Sequence, residues 1–160
     1  MEAATVLSGL TGLADTVRYR AANALAVPFA DAGFDVAWSQ HVAMTIADRP
    51  ARHAKIRRVL QPGGCFVVYD VVAGSGEAPH FPVSWSTSQD TGFLLSPDNM
   101  RQLLEQQGFR VQEWTNRTKN GVAWVRQQRA RASRSGADGK LGRNRVEGRI
   151  GLQQALLPHA

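Results

Sequence analysis

Apolar and polar positions along the chain change period several times, and each change marks an element. Residues "EAATVLSGLTG" place Val6, Leu7 and Leu10 at i, i+1 and i+4, a helical spacing that Gly12 ends. In "TVRYRAANAL" Val17 and Tyr19 alternate with Arg18 and Arg20, which predicts a short strand at 17–20. A proline-containing loop and a turn near "DAG" follow, then a strand at 34–39. Phe34, Val36, Ala37 and Trp38 are apolar on both faces, as expected of a strand covered on both sides.

Asp48 is the predicted N-cap of the next helix, with Pro50 in its first turn, where a missing N–H costs little. Ile56, Val59 and Leu60 form its apolar stripe. Lys55, Arg57 and Arg58 complement the dipole of its last turns. Pro62, Gly63 and Gly64 turn the chain into "CFVVYDVV", a buried strand with Asp70 as its one charge. The long loop from Ala73 to about Leu95 is rich in Gly, Pro, Ser and aromatic residues, a composition that suits a lid or binding segment. Ser96 and Pro97 open a helix carrying Met100, Leu103 and Leu104, and Gly108 stops it. "FRVQEW" alternates as a strand, "NGVAWVRQQRARAS" is helix-like, "RSGADGK" is a flexible break, and "EGRIGLQQALLP" suits a closing strand. The alternation predicts an α/β fold with a parallel, doubly wound sheet.

Composition adds limits to this outline. The chain has 160 residues, 43% of them hydrophobic and 20% charged, a globular balance that fits one ordinary domain. No apolar run approaches a membrane span, and the N-terminus lacks the pattern of a signal peptide, so no membrane partner and a cytoplasmic location are expected. Cys65 is the single cysteine, which excludes a disulfide within one chain and reads as a small core residue. His41, His53, His80 and His159 show no ligand spacing, so no metal site is expected.

The net charge of +6 is unevenly placed. Basic and acidic side chains cancel over residues 1–125. Residues 126–160 carry Arg126, Arg129, Arg131, Arg134, Lys140, Arg143, Arg145 and Arg149 against Asp138 and Glu147. That tail contains no Phe, Tyr or Trp to stack on bases, so a solvated basic face is expected there rather than a nucleic-acid partner. The expected organisation is a core over 1–125, a basic helix and flexible break over 126–140, and the closing strand of the same domain within 141–160.

In a doubly wound sheet ligands sit beyond the carboxyl ends of the strands. That rule selects Ser39, Gln40 and His41 after one strand, Tyr69 and Asp70 in the next, and Asn23 after the first. Each has a plain structural alternative: Asn23 as a turn residue, His41 as a satisfied surface histidine, Tyr69 as core. His80, Phe81 and Trp85 suit a lid or substrate pocket, or are scattered loop aromatics.

The run "ANALAVPFADAGFDVAWSQHVAMTIADRPARHAKIRRVLQPGGCFVVYDVV" resembles the middle and later motifs of class I S-adenosylmethionine-dependent methyltransferases. The nearest subgroup is the sarcosine/dimethylglycine and ubiquinone-biosynthesis type. "SPDNMRQLLEQQGFRVQEW" is similar to that family's late helix, glycine corner and strand, and "NRVEGRIGLQQALL" to its final antiparallel strand. The resemblance implies S-adenosylmethionine as cofactor, a small-molecule acceptor, Asn23, Ala24 and Ser39 at the cofactor, and Gln40 and His41 at the methyl donor and acceptor. It further implies Tyr69, His80 and Trp85 at the substrate.

Two family elements have no counterpart: the glycine-rich turn after a first strand, and the acidic residue that takes the ribose hydroxyls. "MEAATVLSGLTGLADTVRY" resembles the helix after the family's second strand. The expectation is therefore a truncated Rossmann-like sheet with helices on both faces, lacking the first two strands. Strand 34–39 would be left as an edge open to pairing with a second copy. The alternative expectation is a non-catalytic remnant, or an oligomerising binding module, that does not bind S-adenosylmethionine.

Overall fold

A computed structural model of the chain describes residues 1–74, 78–134 and 150–158. Helix α1 (Glu2–Leu10) precedes strand β1 (Phe34–Gln40), helix α2 (Arg49–Val59) and strand β2 (Leu60–Ala73). Helix α3 (Pro97–Gln106), strand β3 (Glu113–Asn116), helix α4 (Thr118–Arg134) and strand β4 (Ile150–Pro158) follow. The strands form one sheet in the order β1-β2-β4-β3. β1 runs parallel to β2, while β4 is antiparallel to both β2 and β3. β1, β2 and β3 therefore share one direction and β4 alone opposes them. This α/β architecture is a partial, Rossmann-like sheet of four described strands.

Local chemistry sets the helix ends. The Asp48 carboxylate accepts from the Ala51 N–H at 3.0 Å and the Ser96 hydroxyl from the Asn99 N–H at 3.2 Å, each ahead of a first-turn proline. Gly12 and Gly108 follow helices with φ of 71° and 82°, the left-handed stop that glycine adopts without strain. The core lies between β2 and α3: Leu60, Phe66, Val68, Val72, Met100, Leu104 and Phe109 are buried together, with Ala37, Ile56, Leu95, Val111 and Trp114 packed around them.

Five expectations are corrected. Residues 17–20 form no strand, because the alternation of Val17 and Tyr19 finds no partner to pair with. The glycine corner lies inside β2 rather than before it. Phe34 pairs with Leu60 and Val36 with Cys65, so Gln61–Gly64 form an irregular bulge. A Cβ on Gly64 would lie 2.8 Å from the Gln61 carbonyl oxygen and 3.0 Å from that of Asp35, so the bulge requires glycine there. β3 begins at Glu113, not Phe109, because Phe109 turns into the core directly after Gly108. The apolar stripe of α1 is uncovered: Val6, Leu7 and Leu10 are exposed. Phe34, Val36 and Trp38 are exposed rather than covered on both sides, because β1 is the edge of the described sheet, the edge position expected for strand 34–39. The "RSGADGK" break lies outside the described residues except for its first residue, and the predicted 141–149 lead into the closing strand lies wholly outside them.

Candidate functional site

Among the described residues β1 and β2 are the one parallel strand pair, and it positions the groups at its carboxyl end. Gln40 lies opposite Tyr69 in the register. Immediately after it the His41 N–H donates to the Tyr69 carbonyl at 2.9 Å, and the two rings lie 5.0 Å apart at 53°. His41 has a φ of 53°, a left-handed conformation uncommon for any residue with a side chain. Gln40 and His41 are exposed, and Tyr69 is half-buried. A titratable imidazole and a phenol thus meet at the mouth of the strand pair, where each offers a proton donor or acceptor to a molecule seated there.

A buried polar layer lies beneath this mouth. The Asp70 carboxylate accepts from the Val42 N–H at 2.9 Å and from the Ala43 N–H at 3.3 Å. Arg52 donates to the Ser39 hydroxyl at 2.5 Å, and Arg49 donates to the Phe93 carbonyl. Ser39, Arg49, Arg52, His53 and Asp70 are each at most 5% exposed. Arg49 Nε, Arg52 Nη1 and both His53 ring nitrogens have no hydrogen-bond partner among the described residues. Burial lowers the proton affinity of both guanidiniums, and the nearby Asp70 charge works against that. Burial pushes Asp70 up, against the pull of the Val42 and Ala43 amides, Arg52 and Arg49. Burial, then Arg52 and Arg49, drives His53 down to about 3, so it is neutral at physiological pH.

The structure thus brings Ser39, Gln40, His41 and Tyr69 together. Ser39 faces inward to Arg52 instead of outward. Asn23 is an exposed turn residue whose Oδ1 accepts from the Leu25 N–H at 2.9 Å, and Ala24 beside it is half-buried. His80 is exposed in the loop between β2 and α3. Trp85 is half-buried, and its Nε1 is buried without a hydrogen-bond partner among the described residues. The loop is tied down by a Ser86–Thr91 hydroxyl pair at 2.5 Å, by the Phe93 N–H to the Met44 carbonyl at 2.8 Å, and by Arg49.

Sequence reasoning did not single out Arg49, Arg52 or His53 as a buried group. Their spacing carries the signal: positions 49, 52, 53 and 56 are i, i+3, i+4 and i+7, one face of α2, and the core residue Val59 continues it. At the opposite, amino end of the strands an open groove of about 650 Å³ is lined by Asp31, Arg57, Arg58, Pro62 and Gln106 among others. It lies away from the strand ends where ligands of such sheets bind. Among the described residues no group of three or more His, Cys, Asp or Glu side chains could hold a metal ion, and no helix is long and apolar enough to cross a membrane.

Residues 2–68 match the family described as "Methyltransferase domain". An O-methyltransferase of Pyrenophora dematioidea is 33% identical over 98 residues, 61% of this chain and 37% of that protein. The dimethylglycine N-methyltransferase of Parasynechococcus marenigrum is 32% identical over 108 residues, 68% of this chain and 39% of that protein. The chain therefore spans well under half the length of these relatives. Among solved structures, geranyl diphosphate methyltransferase in complex with SAM superposes with a TM-score of 0.76 at 17% identity, over 99% of this chain and 64% of that one. The [4+2]-cyclase SpnF superposes with a TM-score of 0.70 at 18% identity, over 98% of this chain and 60% of that one. At such identities the superpositions establish the fold, and the cyclase shows that the fold alone does not fix the reaction.

Proposed function

Because this chain belongs to the class I S-adenosylmethionine-dependent methyltransferase family, we propose that the carboxyl end of its β1–β2 pair forms part of a site for methyl transfer to a small-molecule acceptor. The observation that carries this reading is the meeting of His41 and Tyr69 at the mouth of a parallel strand pair. S-adenosylmethionine supplies an electrophilic methyl group when bound. What this chain contributes is alignment and a proton acceptor. The His41 imidazole takes a proton from an acceptor amine or hydroxyl or orients it. Gln40 lies beside it, and Tyr69, His80 and Trp85 border the acceptor. Alignment of two reactants supplies most of what such a transfer needs.

On the cofactor side the reading gives Asn23 and Ala24 to the adenine edge and Ser39 to the strand beneath it. The fit is partial. Asp70 is the one acidic residue at the carboxyl end of a described strand, and its carboxylate is occupied by the Val42 and Ala43 amides, so it does not serve the ribose hydroxyls. A cytoplasmic setting accords with the free thiol of Cys65.

Titration calorimetry with S-adenosylhomocysteine tests the proposal. Micromolar affinity, weakened by Tyr69→Ala, is the expected result. No heat at millimolar ligand would end the donor-site reading and favour the second one: a non-catalytic module that associates with another copy through β1. The open backbone edge of β1, with Val36 55% and Trp38 71% exposed, supports that second reading.

A further inference from the structure

His41 holds a left-handed backbone without being glycine, and such a conformation persists only where its surroundings enforce it. Three consecutive amides leave this turn, and all three end on two adjacent residues of β2. The His41 N–H goes to the Tyr69 carbonyl at 2.9 Å; the Val42 and Ala43 N–H groups go to the two oxygens of the Asp70 carboxylate at 2.9 and 3.3 Å. Ala32 offers an internal contrast. Its φ is also 53°, yet its N–H and that of Gly33 go to the Arg58 and Val59 carbonyls, both at 2.9 Å. At Ala32 the amides of the turn end on backbone carbonyls, whereas at His41 two of the three end on a buried side chain.

We propose that Asp70 is a positioning residue for His41, its carboxylate fixing the turn that sets the imidazole at the mouth of the β1–β2 pair. Two oxygens are required. An amide in the same place has one acceptor, and its NH₂ would face an N–H donor. The buried guanidiniums of Arg49 and Arg52, together with the two amides, work against the upward push that burial exerts on the Asp70 carboxyl. Arg52 also grips Ser39, two residues before His41, and Arg49 grips the Phe93 carbonyl. The same cluster therefore holds the strand end, the turn and the loop between β2 and α3.

The functional meaning of this assignment rests on the methyltransferase-site reading of His41; the conformational claim does not. NMR of the full chain separates them. A left-handed residue shows a strong intraresidue NOE between its amide and α protons, expected in the unaltered protein at both Ala32 and His41. In Asp70→Asn the signature is expected to vanish at His41 and survive at Ala32, with S-adenosylhomocysteine affinity falling about tenfold or more. A folded Asp70→Asn protein that keeps the signature at His41 overturns the proposal. Should that variant not fold, amide exchange in the unaltered chain decides: slow exchange at Val42 and Ala43 supports the clamp, and exchange as fast as in open loops refutes it. If the unaltered chain binds no S-adenosylhomocysteine, the donor-site reading fails while both NMR results still judge Asp70.

Discussion

β1 and β2 lie side by side in one sheet and end up in opposite environments. β2 has a strand on each side and α3 across its face; Phe66, Val68 and Val72 are fully buried. β1 has β2 on one side and, among the described residues, no strand on the other; Val36 and Trp38 face outward. Both strands are mostly apolar, so hydrophobicity alone did not decide their fates. Position in the sheet did. An apolar strand marks a demand for cover, and this chain meets the demand along β2 and leaves it open along β1.

The largest expected effect tests the covered side. Leu104→Ala removes a fully buried side chain from the β2–α3 core and should cost roughly 2–5 kcal/mol in urea unfolding. A loss below about 1 kcal/mol would mean the core is far looser than described.

The next effect concerns acid. The folded His53 pKa of about 3 lies below its unfolded value of 6.5, so only the unfolded chain takes up a proton between those values. The stabilisation is complete above pH 6.5 and is lost as pH falls toward 3, by roughly 2–3 kcal/mol between pH 6.5 and 4.5. Asp70 has the opposite sign: its raised pKa makes ionisation costly at neutral pH and gives some stability back as the solution is acidified. Thermal melts of His53→Phe across this range should show a flatter decline than the unaltered chain. Parallel curves would remove His53 from the account.

The smallest effect tests the open side. Trp38→Lys should change stability by no more than about 0.5 kcal/mol, because the side chain is already exposed. It should also lower self-association measured by light scattering, since lysine on an edge strand disfavours pairing. A stability loss as large as that of Leu104→Ala would show that the edge is covered in solution by something that Trp38 holds.

What the sequence revealed follows the range of the forces involved. The caps Asp48 and Ser96 and the stop at Gly108 act within one helical turn and were readable directly. β1 and β2 were readable as continuous apolar runs. The alternation at Val17 and Tyr19 misled because a strand exists only with a partner, and the residues there have none. The alternation from Phe109 misled because half of it belongs to the core under α3 and only 113–116 reach β4. At the candidate site His41 and Tyr69 followed from the rule of strand ends. The placement of Asp70 beneath them depends on contacts between residues 27 and 28 positions apart, which no local pattern encodes.

The place of β4 has a bearing on how the chain assembles. The last described strand lies between β2 and β3 and pairs with each. Until residues 150–158 leave the ribosome, β3 has nothing to bind and β2 shows a bare margin. Docking of this late strand closes the longest loops in the molecule, the kind of contact that slows folding and leaves nascent intermediates sticky. A nascent chain halted before that point would depend on chaperones more than its helices suggest.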